Sequence, residues 1–115
     1  MKKIPSIYNP HCPTRLILDR IADKWTVLII GQLTKGTMRF NELKRCVPGI
    51  TQKMLTQQLR ELESYEMVHR EVYAEVPPKV EYSLTKQGKS VMPILDIMCN
   101  WGIDYYDSVV SDNND

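Results

Sequence analysis

The sequence predicts an α+β, mainly α domain, on three observations. Apolar residues recur at three- and four-residue spacing along most of the chain, as amphipathic helices require. Two β-rich segments, Val68 to Tyr73 and Val80 to Leu84, follow one another with a short polar and prolyl connection between them. Lys35-Gly36 and Pro48-Gly49 cut the helical part into short pieces. At 115 residues and 13.4 kDa the chain is one small domain with a thin core.

In chain order, Pro13 opens a first helix through Leu16, Ile17, Ile21 and Trp25, because proline is favourable at the first helical position. A second runs from about Lys24 to Leu33, apolar on most sides and so buried. Thr37 to Arg39 form a short strand, and Phe40, Leu43 and Val47 mark a third helix. After Pro48-Gly49, Thr51 caps a fourth helix to about Tyr65. The two β segments make a hairpin whose tip, with Pro77 and Pro78, is irregular. Thr85 caps a last helix to about Tyr106, which Pro93 kinks or delays. Helix, turn, capped helix and hairpin in that order make a helix-turn-helix with a wing. Residues 1–10 are an N-terminal arm, 11–107 the domain and 108–115 an acidic tail.

Charge separates along the chain. Fifteen Lys and Arg against fourteen Asp and Glu give a net +1, yet Thr37 to Arg60 hold five bases and one acid, a local +4. That is the footprint of a nucleic-acid surface. On the fourth helix Leu55, Leu59 and Leu62 take one face. Lys53, Gln57 and Arg60 lie opposite, flanked by Gln52 and Thr56, with no carboxylate before Glu61. Amides, hydroxyls and cations suit base edges and phosphates. The candidate DNA-binding residues are Arg39, Thr51, Gln52, Lys53, Thr56, Gln57 and Arg60, with Arg70 and Lys79 from the wing. A solvated loop lysine is the competing account of Lys79, since Glu71, Glu75 and Glu81 share its hairpin.

The residues resemble the HxlR-type winged-helix transcriptional regulators of bacteria and archaea. The resemblance is carried by Cys12-Pro13, Lys24-Trp25-Thr26, RFNELKRCVPGITQKMLTQQLRELE from Arg39 and VYAEVPPKVEYSLTKQGKS from Val72, over about residues 11 to 102. It implies a homodimer built from the first and last helices, the fourth helix in the major groove, and control of a nearby promoter, often in response to electrophiles or oxidants. Two departures concern turns: Tyr65-Glu66 replaces a common Asp-Gly, and Ala22-Asp23 a glycine-rich pair.

Cys12 is the candidate redox-sensing residue. A thiol at a helix N-terminus near His11 and Arg15 has the surroundings that favour thiolate, and some members of the resembled family sense through a cysteine here. The competing account is a small capping residue. Cys46 and Cys99 read as buried small hydrophobes, although Cys99 could approach its symmetry mate or the Cys12 of a second chain. The odd cysteine count and the lack of a signal core point to the reducing cytoplasm.

Leu16, Ile17, Leu95, Met98, Cys99 and Trp101 form the expected dimer interface, because the end helices carry more apolar residues than one small core uses. The expected partners are a second copy and a palindromic operator in double-stranded DNA, with no membrane, no cofactor and no metal. Two histidines and no nucleophile or phosphate-cradling motif argue against an enzyme. The alternative function is a winged-helix module that binds protein instead of DNA.

Overall fold

A computed structural model describes Tyr8 and residues 10–110, except the side chains of Arg15, Leu16 and Val110. Most of the expected arm, the tail beyond Val110 and the expected interface side chain of Leu16 lie outside the described residues.

The chain opens with a 3-10 turn, Pro13–Leu16, and a single α turn, α1 (Leu18–Ile21). This corrects the single first helix that the apolar spacing predicts. Ile17, at φ −114° and ψ 0°, breaks the two pieces apart, and each is only four residues long. Next come α2 (Lys24–Leu33), β1 (Met38–Arg39), α3 (Phe40–Cys46) and α4 (Gln52–Ser64). The strands β2 (Val68–Tyr73) and β3 (Lys79–Leu84) follow, then α5 (Lys86–Ser90), α6 (Met92–Tyr105) and a π-helical turn, Tyr106–Val110. The expected final helix is therefore two. Thr85 caps α5 by accepting from Gly88 N at 3.1 Å, and the chain restarts at Met92 with Pro93 in the first turn of α6. Proline has no N–H to continue the earlier helix, so it sits where that group is not needed.

Local chemistry sets the other boundaries. Asp23 caps α2 by accepting from Trp25 N at 2.9 Å and Thr26 N at 3.1 Å, so the Ala22-Asp23 pair makes a good helix start. Gly49 has φ +86° in the turn between α3 and α4, a conformation that disfavours a side chain, and the ring of Trp25 lies against it. The end of α4 is a Schellman motif: Glu66 N donates to Glu63 O at 2.9 Å and Met67 N to Leu62 O at 2.9 Å, with Glu66 at φ +60°.

Three strands form one antiparallel sheet in the order β1-β3-β2, with Met38 opposite Tyr82 and Arg70 opposite Tyr82 on the other side. The core gathers Ile29 and Leu33 of α2, Leu43 of α3, the α4 leucines 55, 59 and 62, and Val47, Ile50, Met67, Val68 and Val91. Each fully buried leucine contributes about 2 kcal/mol of hydrophobic stabilisation, so the three on α4 seat that helix firmly. Gly88 is where α5 meets the segment after α4: a Cβ there would collide with the backbone carbonyl of Met67.

Candidate nucleic-acid interface

The fourth helix presents its polar face as its periodicity predicts. Thr51 accepts from Met54 N at 3.1 Å and starts the helix, while Leu55, Leu59 and Leu62 are buried. Gln52, Lys53, Gln57 and Arg60 are exposed and Thr56 is half-buried, its hydroxyl donating to Gln52 O at 2.8 Å. Gln52, Lys53, Thr56, Gln57, Arg60 and Glu61 line one shallow outward surface.

The wing adds a second wall. Side chains alternate across a strand, so Arg70 and its partner Tyr82 share a face with Val80, and these three meet Gln52, Thr56 and Arg60 across a groove of about 510 Å³. His69, Glu71 and Tyr73 lie on the other face with their partners Ser83, Glu81 and Lys79. The strands' mixed charge is thus sorted: Arg70 joins the polar face of α4, while Glu71 and Glu81 turn away. On that outer face Lys79 Nζ lies 3.8 Å from Glu81 Oε1 and 4.4 Å from the Tyr73 ring centre. A hydrogen bond to Glu81, reinforced by that carboxylate's charge, holds the Tyr73 phenol above its ordinary value.

Pairing of β1 with β3 also brings together two candidates far apart in sequence. Arg39 lies opposite Glu81, two residues from Lys79. Arg39 and Lys79 share a groove with Asn41 and Arg45 of α3. Asn41 and Arg45 were not among the candidates; their exposure on a short helix beside a basic strand shows only once β1 is paired. The backbone N–H of Arg39 donates to Glu42 Oε1 at 3.0 Å, which keeps that acid occupied at the start of α3.

Sequence reasoning also missed Arg20. From the end of α1 it donates to Gln58 Oε1 of α4 at 2.7 Å and to Thr26 Oγ1 of α2 at 3.2 Å, and it forms an ion pair with Glu61.

The cysteines depart from expectation. Cys12, at the start of a four-residue 3-10 turn, is buried at 4% exposure, not presented at the N-terminus of a long helix. Cys46 and Cys99 are exposed, not buried. Cys46 flanks the buried Val47 without sharing its direction, and no residue of α6 is buried.

Of the expected interface residues, Ile17 and Leu95 are half-buried against the chain's own core, whereas Met98, Cys99 and Trp101 are exposed. Ile21 belongs to the core. Among the described residues, no cluster of three or more His, Cys, Asp or Glu could hold a metal. No described helix is long and apolar enough to cross a membrane.

Comparison with known proteins identifies the family and the fold. The family model described as HxlR-like helix-turn-helix matches residues 20–110, a span that leaves out Cys12. An uncharacterized HTH-type transcriptional regulator of Methanothermobacter thermautotrophicus is 53% identical over 91 residues, 79% of this chain and 70% of that protein. The redox regulator HypR in its reduced form is 49% identical with a TM-score of 0.77, covering 86% of this chain and 98% of that one. Diamide-treated YodB from B. subtilis is 36% identical with a TM-score of 0.72, covering 84% and 97%. The chain belongs to the HxlR-like helix-turn-helix family of DNA-binding transcriptional regulators, with a winged fold.

Proposed function

We propose that this regulator acts as a homodimer on a palindromic operator, with α4 in the major groove and Arg70 of the wing on the adjacent backbone or minor groove. One observation carries the reading: five amide, hydroxyl and cationic side chains stand on the outward surface of α4, and Arg70 faces three of them, Gln52, Thr56 and Arg60, across a groove. In this reading Gln57 and Arg60 take base edges, and Thr51, Lys53, Arg39 and Arg45 take phosphates. Lys79, held near Glu81 and Tyr73, is a weaker contact.

Fluorescence anisotropy with duplexes selected from a random pool tests it. Arg60→Ala should cost about 1–3 kcal/mol on a selected duplex and relax specificity at one position, whereas Arg70→Ala should weaken all duplexes alike and flatten the salt dependence. Equal, small effects in both would contradict the assignment and favour a protein-binding module.

The same reading includes a response to oxidants or electrophiles through Cys12. HypR is described as a redox regulator and a diamide-treated form of YodB is known, and Cys12 immediately precedes the short 3-10 turn Pro13–Leu16. Cys12→Ser should bind DNA normally yet lose the change in affinity that diamide produces in the wild type. An undiminished response in that variant would move sensing elsewhere, first to the exposed Cys46 and Cys99.

A further inference from the structure

One guanidinium ties three helices together. Arg20 Nη1 donates to Gln58 Oε1 at 2.7 Å and Thr26 Oγ1 at 3.2 Å, and Nη2 donates to Glu61 Oε2. The junction is sheltered: Thr26 is 1% exposed, the Arg20 side chain 17% and that of Glu61 36%. Gln58 and Glu61 lie three residues apart on one flank of α4, and each directly follows an outward residue, Gln57 or Arg60. The opposite flank, through Gln52, Thr56 and Leu59, borders the wing groove.

Apolar contact is non-directional, so a leucine ridge fixes how deep a helix sits better than how far it rolls about its axis. Side-chain tips lie roughly 5–6 Å from that axis, and a roll of about 20° moves them by about 2 Å. That is enough to take a bidentate contact out of hydrogen-bond range. The planar fork of arginine, engaged by acceptors on α2 and α4 at once, resists such a roll in a way that a point cation cannot.

We propose that Arg20 is a positioning residue for DNA recognition, fixing the roll of α4 through Gln58 and Glu61 and thereby the aim of Gln57 and Arg60. The inference rests on α4 being the reading helix. It differs from simple charge neutralisation, in which Arg20 serves only to keep the Glu61 carboxylate from repelling phosphate.

The full-length protein, a duplex it selects from a random pool and a scrambled duplex of equal length provide the test. Arg20→Met keeps the aliphatic stem and should lose about tenfold or more on the selected duplex, with scrambled-duplex binding and its salt slope unchanged. Arg20→Lys should recover only part of the loss. The double variant Arg20→Met with Glu61→Gln separates the two roles: it stays impaired if Arg20 positions the helix and returns to wild-type discrimination if Arg20 only neutralises. Recovery, equal loss on both duplexes, or unchanged discrimination would overturn the proposal. Should Arg20→Met not fold, Gln58→Met removes one α4 acceptor and should still lower discrimination; unchanged discrimination there overturns it too. A wild-type protein that enriches no duplex overturns the recognition reading itself, whereas enrichment without loss in the variants overturns this inference alone.

Discussion

At the scale of single residues, the turn after α4 shows a local rule broken and tolerated. Glu66 occupies the left-handed position of a Schellman motif at φ +60°, where glycine is the usual occupant. A side chain there costs on the order of 1 kcal/mol. Glu66 is exposed, and the hydrogen bond it receives from the Thr85 hydroxyl goes to its backbone carbonyl, which any residue supplies. Glu66→Gly should therefore stabilise the domain by about 1 kcal/mol, read as a higher urea midpoint with an unchanged slope. A lowered midpoint would mean that the carboxylate stabilises the fold by a route absent from its contacts. Gly88 is the opposite case. Its requirement is space against Met67 O, which no backbone preference reveals, so only the packed structure explains that glycine.

At the scale of elements, legibility in the sequence follows how local the controlling physics is. The fourth helix was legible end to end because its cap, leucine ridge and polar face all lie within fifteen residues, from Thr51 to Tyr65. The hairpin was legible too, but its two faces were not. Sorting Arg70 from Glu71 and Glu81 needs the register of β2 on β3, and moving Arg39 beside Lys79 needs β1 on β3. The ends read less well. Apolar spacing from Pro13 to Trp25 suggests one helix, but Ile17 interrupts it and Asp23 caps a new start. Pro93 announced a disturbance in the last helix, and the outcome was a clean restart after Val91. Arg20 was invisible because its acceptors on α4 are 38 and 41 residues away, and no periodicity marks a long-range hydrogen bond.

At the scale of the whole molecule, the single chain leaves its last helix uncovered. Ile97 is 69% exposed and Trp101 67%, and Ile94, Met98, Ile103, Tyr105 and Tyr106 are exposed with them. Trp101 stacks on Tyr105 at 5.2 Å and 17°, so the two aromatics present one apolar plate to solvent. The radius of gyration is 17.1 Å, against about 13 Å for a compact domain of this length. An apolar face of that size is a liability on a monomer and an asset at a twofold interface, where each copy covers the other. The proposed pairing would also answer the charge arithmetic, bringing two segments of +4 to DNA together from chains of net +1. In the proposed dimer, half-sites one turn apart would call for the two α4 helices to stand about 34 Å from each other. Sedimentation equilibrium at micromolar concentration should give twice the 13.4 kDa chain mass. Trp101→Glu should yield a folded monomer that keeps half-site affinity and loses the gain from the palindrome. A monomeric wild type that still bound both half-sites as tightly would place the source of that gain on the DNA, and α6 would need another partner.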